Sequence, residues 1–220
     1  MAHEKRYAIV YEDDQLMVVD KPSGMLVIPT PKKETNTLTD LLNNELDRRG
    51  IEVNVHPCHR LDRETSGLII YAKGKAIQKR VMDEFRARLV KKTYIAFVNG
   101  IVKKSFDTIT SSIYNRNKSR PEDAVTKYRV IERRADFTVV ETEPITGRTN
   151  QIRIHLKSIG HPLVGETGYA FRKDFKLRFK RVALHAKRIE FIHPVSGKSL
   201  VFESPLPADM ANFIKDLSLK

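Results

Sequence analysis

The sequence predicts an α+β fold: one domain over residues 1–220, built on a largely antiparallel mixed β-sheet with flanking helices. Three observations predict it. Strand-like runs outnumber helical ones, and most come in pairs joined by short polar turns, as hairpins do. Three or four amphipathic stretches with four-residue apolar spacing are scattered among them. No internal repeat, low-complexity segment or linker interrupts the 220 residues, a length that one large domain can fill.

Taken in order, residues 8–11 and 16–19 read as a hairpin around an acidic turn. Lys21-Pro22-Ser23-Gly24 then breaks the chain. Leu38, Leu41, Leu42 and Leu46 recur at helical spacing; Thr37 with Asp40 resembles a capping box, and Gly50 stands where a helix end favours glycine. Leu68-Ile69-Ile70-Tyr71-Ala72 reads as a buried strand. Ile77, Val81, Phe85 and Leu89 form one apolar stripe on a helix over 75–89. Residues 94–98 make a strand with Tyr94 at its entrance. Residues 101–123, with Arg116, Lys118 and Arg120, read as a strand fragment and a long basic loop. A second hairpin spans 125–130 and 137–141. Pro144-Ile145-Thr146-Gly147-Arg148 turns into a helix with Ile152, Leu156 and Ile159 apolar, ended by Gly160. Phe171, Phe175 and Phe179 read as a core stripe. A final hairpin over 182–192 and 200–203 turns at Pro194-Val195-Ser196-Gly197, and Met210, Phe213, Ile214 and Leu217 form a closing helix.

Forty Lys+Arg against 27 Asp+Glu give a formal net charge of +13. An excess this large argues for a polyanionic partner, because each phosphate contact releases counterions. The basic residues cluster over 73–92 (Lys73, Lys75, Lys79, Arg80, Arg86, Arg88, Lys91, Lys92) and again over 172–188. Cys58 is the only cysteine, so no intramolecular disulfide forms and a reducing compartment is expected. The polar N-terminus lacks the apolar core of a signal peptide, and no apolar run nears the roughly 20 residues that span a bilayer. A cytoplasmic protein is expected, and the absence of an apolar seam leans towards a monomer.

Cys58-His59-Arg60-Leu61-Asp62-Arg63-Glu64-Thr65-Ser66-Gly67 concentrates charge and hydroxyls directly before the buried run. Gly197-Lys198-Ser199 ends like a phosphate-binding loop, but Ile192 occupies the required first glycine position. No dinucleotide fingerprint or nucleophile elbow occurs, so no nucleotide cofactor is expected. His56, Cys58 and His59 lie close together but lack the second ligand pair of a zinc site, and no metal is expected. An aspartate near arginines has its ionised form favoured. That suits Asp62 to nucleophilic attack or proton abstraction, but on the charge pattern alone a structural ion pair is the favoured reading. Arg153 lies at the edge of the apolar face marked by Ile152 and Leu156, a place that calls for a carboxylate partner.

The segment from His59 to Gly67 resembles the signature of the ribosomal large subunit pseudouridine synthase A family. Lys21-Pro22-Ser23-Gly24 is similar to that family's first motif, and Lys91-Lys92-Thr93-Tyr94 to the strand bearing its active-site tyrosine. Gly147-Arg148-Thr149-Asn150-Gln151-Ile152-Arg153-Ile154-His155 resembles its third motif. His161-Pro162-Leu163-Val164-Gly165 and Ala183-Leu184-His185-Ala186 match later landmarks, so the resemblance runs from about Glu12 to Pro207. It departs at two positions, Asn150 in place of the usual histidine and Glu166 in place of the usual aspartate. Neither carries the central chemistry in the family picture, and both bear on fine substrate contacts.

The resemblance implies a pseudouridine synthase fold, here the short form without the N-terminal RNA-binding domain of some relatives. It implies isomerisation of uridine within ribosomal or transfer RNA, on a stem-loop, with no cofactor. By resemblance Asp62 is the essential carboxylate, Tyr94 packs on the uracil, Arg153 pairs with Asp62, and Ile152 lines an apolar pocket. Arg60 fills the space left by the flipped nucleotide, at a cost of a few kcal/mol that is least in a loop. Arg148 and Lys21 complete the RNA-binding set, and the two basic stretches supply phosphate contacts. Two other readings stay open: a non-catalytic RNA-binding module on the same fold, and a hydrolase that uses Asp62 to release free uracil.

Overall fold

The computed structural model describes residues 7–32, 34–115, 118–170 and 177–216. Arg116, Phe171, Arg172, Lys173, Phe175, Lys176 and Leu217, and residues 1–6, lie outside the described residues, so the expectations placed on them are not tested. The strands are β1 (Ala8–Glu12), β2 (Leu16–Lys21), β3 (Val55–Pro57), β4 (Ser66–Lys73), β5 (Lys91–Asn99), β6 (Phe106–Asn115), β7 (Arg120–Arg133), β8 (Phe137–Pro144), β9 (Leu184–Ile192) and β10 (Ser199–Glu203). The helices are α1 (Leu38–Arg48), α2 (Lys75–Arg86), α3 (Gln151–Ser158) and α4 (Ala208–Asp216). The chain divides into two compact units, residues 1–90 with 188–204 and residues 91–187 with 205–220, and the division falls within β9.

In the first unit β1, β2 and β4 lie in that order, with β3 also on β4, and every pairing is antiparallel. Asp13 closes the first hairpin, its Oδ1 accepting from the amides of Gln15 and Leu16. Strand β4 is the centre, because neither of its faces reaches water. Leu68, Ile70 and Ala72 pack with Val81 of α2, while Ile69 and Tyr71 pack with Leu38, Leu42 and Leu46 of α1. Burying an aliphatic side chain of this size contributes on the order of 2 kcal/mol. Helix α1 starts where the sequence places it: Thr37 and Asp40 cap each other reciprocally. Gly50, at φ 71, ends it in the left-handed conformation that glycine tolerates.

Helix α2 stops earlier than its apolar spacing predicts. Ile77, Val81 and Phe85 face the core, but Arg88 takes φ 60, and Leu89 is exposed beyond the helix end. A four-residue repeat cannot report where a backbone turns.

In the second unit the order is β5, β8, β7, β6, again antiparallel. Phe97 and Phe137 pack against Met210 and Phe213 of α4, with Phe179 beside them. The stretch predicted as a strand fragment and loop is instead a full strand, β6, paired with β7 from Phe106↔Arg129 to Asn115↔Arg120. Only Ile109 and Ile113 turn inwards along it, while Phe106, Thr108, Thr110, Ser112 and Tyr114 face water. Two apolar residues four apart resemble half a helix stripe, so alternation is hidden by the serines and threonines between them. The α+β class and the largely antiparallel sheet are as predicted.

Cys58 is buried on β4's side of the first unit, and burial, helped by the charge of Glu84, pushes its thiol up to about 12. Because only the thiolate reacts, a disulfide reagent at mildly alkaline pH should modify the native protein roughly a hundredfold more slowly than the unfolded chain. Equal rates in buffer and in guanidinium would show that Cys58 is accessible and that the core around β4 is not packed as described.

Candidate active site

The first unit carries Asp62, Arg60 and Lys21. Asp62 is half-buried and opens a tight turn in which its carbonyl accepts from the amide of Thr65 at 3.1 Å. That turn feeds Ser66 into β4, so the buried strand fixes where the aspartate stands. The Lys21-Pro22-Ser23-Gly24 turn straps it from the other side. Gly24 N donates to Arg63 O at 2.8 Å, and Ser23 Oγ donates to Glu64 O at 2.8 Å. Gly24 holds φ 85, which a side chain rarely adopts.

Lys21, expected as an RNA contact, is fully buried. Its ammonium donates to the carbonyls of Pro22 (2.9 Å), Met25 (2.9 Å) and Arg63 (3.2 Å). A buried ammonium is tolerated only where its donors are taken up in this way. Its bond to Arg63, 42 residues away in sequence, therefore ties two turns into one loop pair around Asp62. Leu61 is buried beneath, and Arg60 projects outwards, exposed.

The second unit carries Tyr94, Arg148, Ile152 and Arg153. Tyr94 is buried in β5 opposite Thr142 of β8. The turn before α3 is organised by Gln151, which the sequence reading passed over. Its Oε1 accepts from Thr146 Oγ1 and from the amide of Arg148, and its Nε2 donates to Val125 O and Thr126 Oγ1. The first two bonds close the turn and the last two dock it onto β7. Arg148 is half-buried, donating to Asp123 O and pairing with Glu122 at 3.2 Å. Glu122 also accepts from Asn115 and Lys118, and these partners push its carboxyl down to about 2. Ile152 is buried on α3.

Arg153 has the carboxylate partner that its helix phase calls for, and within this unit that partner is Glu166. Arg153 Nε donates to Glu166 Oε2 at 2.8 Å and Nη2 to Oε1 at 2.7 Å, a bidentate fork. Nη1 donates to Asn150 Oδ1 at 2.9 Å, and the guanidinium carbon lies 5.0 Å from the centre of the Tyr169 ring. The two positions where the chain departs from the family pattern, Asn150 and Glu166, thus hold the same guanidinium. No substrate-contact reading of the sequence could find that, since the bonds join segments 13 residues or more apart or run through an unusual backbone: Asn150 sits at φ 55. Gly165 places Glu166. At φ +80 its missing Cβ would lie 1.8 Å from Arg181 O, so only glycine lets the chain pass.

Burial alone raises the Glu166 pKa, but the bonds from Arg153 and the amides of Gly168 and Tyr169 outweigh it and hold the carboxyl below the usual glutamate range. His59, weighed as a metal ligand, accepts from the amide of Ile70 through Nε2 and lies against Phe85. Among the described residues no group of three or more His, Cys, Asp and Glu side chains is placed to hold a metal, and no helix is long and apolar enough to cross a membrane.

Lys21→Met takes the ammonium from three part-buried carbonyls, of which Arg63 O keeps its bond from Gly24 N. At about 1–3 kcal/mol for each of the two acceptors then left without that partner, denaturant unfolding should show a loss of about 2–6 kcal/mol; a loss under about 0.5 kcal/mol contradicts the strapping role. Glu166 gives a pH signature. Its lowered folded-state pKa means that its stabilisation is complete above the ordinary value of 4.5 and is lost as pH falls through the folded value. The stability advantage of the wild type over Glu166→Gln should therefore be fully present near pH 7 and should shrink as the pH falls below 4.5. A gap that stays constant over that range rules out an ionised Glu166.

Residues 15–158 match the family model described as RNA pseudouridylate synthase. The chain is 40% identical over 220 residues to a Bacillus subtilis protein described as uncharacterized RNA pseudouridine synthase YlyB, covering 95% of this chain and 72% of that one. It is 36% identical to ribosomal large subunit pseudouridine synthase D of Nitrosomonas europaea, covering 94% of this chain and 64% of that one. The fold is shared with the solved human RNA pseudouridylate synthase domain containing 4, at a TM-score of 0.81 with 24% identity over 96% of this chain and 93% of that one. With the family model matched over most of the chain and relatives of this identity along nearly its whole length, the protein belongs to the RNA pseudouridine synthase family.

Proposed function

We propose that this protein isomerises particular uridines to pseudouridine in RNA with Asp62 as the essential carboxylate acting on a flipped-out nucleotide. The bond from ribose to the base nitrogen breaks, the uracil turns, and a carbon–carbon bond forms to the same sugar. No group is gained or lost, so the reaction calls for no cofactor. The observation that carries the assignment to Asp62 is its setting: a half-buried carboxylate on a turn fixed by β4 on one side and by the Lys21 strap on the other. A reacting group held this way costs no reorganisation when charge develops.

Tyr94 packs on the uracil and assists the late proton loss from its carbon 5. Arg153 pairs with Asp62, and Ile152 lines the apolar pocket wall. Arg60, exposed beside Asp62, fills the space vacated by the nucleotide. Arg148 contacts the RNA from its turn, and Lys21 serves binding through the loop that it holds. The net charge of +13 supplies the phosphate attraction. The substrate is ribosomal or transfer RNA, and relatives named for the large ribosomal subunit favour the ribosomal one. The proposal includes a cytoplasmic monomer comprising one catalytic domain, with the A-type branch favoured by the wording of the central motif.

The test is to incubate the protein with total RNA from a strain lacking its gene and to map pseudouridine by carbodiimide-dependent primer-extension stops. A new stop should appear with the wild type and fall by at least about a thousandfold in rate with Asp62→Asn, as expected when a group essential to the transition state is lost. RNA binding without a stop would favour the non-catalytic module. An undiminished stop with Asp62→Asn removes Asp62 from the chemistry.

A further inference from the structure

We propose that Glu166 is a positioning residue for the reaction: its carboxylate, gripped by three backbone amides, fixes the plane and direction of the Arg153 guanidinium. The inference rests on the reading that Arg153 serves the active site. Glu166 is itself buried and held on several sides. Its Oε1 accepts from the amides of Thr167 (2.9 Å), Gly168 (2.7 Å) and Tyr169 (3.2 Å) as well as from Arg153. A turn of successive amides around one oxygen is an anion-binding concavity, and here the chain supplies its own anion.

The carboxylate then passes its order on. Two parallel bonds from Nε and Nη2 set the guanidinium plane, which a single point charge could not do. The bond from Nη1 to Asn150 Oδ1 fixes the remaining rotation. Asn150 is anchored in turn, because its Nδ2 donates to Tyr169 Oη at 2.9 Å while the Tyr169 ring covers the guanidinium. Gly168 is part of the fit: a Cβ there would come within 3.3 Å of Arg153 Nη2 and 3.5 Å of Glu166 Oε1. Charge balance alone would need one carboxylate nearby. This arrangement specifies orientation three times over, as a side chain must be held when a reaction depends on where its N–H groups point.

Conversion is timed on a transcript spanning the uridine mapped in total RNA, at 25 °C, with melting temperature measured on the same samples. Glu166→Gln keeps the side-chain volume but loses the bidentate acceptor. It should lower kcat at least about tenfold while KM stays within about twofold, as expected when binding is intact and only transition-state geometry is lost. Glu166→Asp restores the charge and the fork, and should recover most of the kcat lost by Gln. If Glu166→Gln leaves kcat within about twofold while Arg153→Ala abolishes turnover, the positioning role is overturned and the place of Arg153 in the reaction stands. If Gln and Asp lose kcat equally and in step with melting temperature, Glu166 is only structural and the inference fails. If Arg153→Ala itself turns over normally, the reading on which the inference rests falls with it.

Discussion

Strand β4 has no face in contact with water, and that constraint decides where the chemistry of the first unit can be. Leu68, Ile70 and Ala72 belong to one core cluster, Ile69 and Tyr71 to another, so the strand cannot slide by one residue without exchanging the two sets. With β2 registered against it from Leu16↔Ala72 to Lys21↔Gly67, the turns preceding β4 and following β2 must meet. Asp62 lies on the first of these turns and Lys21 begins the second. The position of the carboxylate is therefore a consequence of hydrophobic burial several residues away.

Charge in both units is held by backbone as much as by opposite charge. Lys21 donates hydrogen bonds to carbonyls, and Glu166 accepts them from amides. Peptide dipoles are fixed by the fold, so they hold a charge without the rotamer cost of a second long side chain. Arg153 uses both devices, a carboxylate already locked by amides and a side-chain amide locked by a tyrosine. Such networks are favourable only when every member is satisfied. That is why small residues at 165 and 168 matter as much as the charged ones.

Much of this was legible in the sequence, for identifiable reasons. The α1 cap, the β4 run and the helix phase of Arg153 are local patterns, and each points to one physical requirement that the structure meets. The carboxylate requirement of Arg153 could be read, but the identity of Glu166 could not, because it depends on the path through Gly165. Leu89 misled because periodicity continues past the residue where the backbone turns. Strand β6 was hidden because its solvent face is filled by threonine and serine, which carry no strong pattern. The burial of Lys21 was also invisible, since a lysine beside a proline and a glycine looks like an exposed turn. Four motifs in family order pointed to the family more firmly than any of these patterns alone.

Formation of a carbon–carbon bond at uracil carbon 5 must release the hydrogen carried there, whereas hydrolysis of the nucleoside bond leaves it in place and frees the base. The most direct measurement is thus the fate of tritium at carbon 5 in uridine-labelled RNA, followed together with free uracil. The expected result is tritium appearing in water, with no free uracil, and neither event when Asp62 is asparagine. Free uracil without tritium release, or tritium release that persists in the asparagine variant, would contradict a uridine isomerase that works through Asp62.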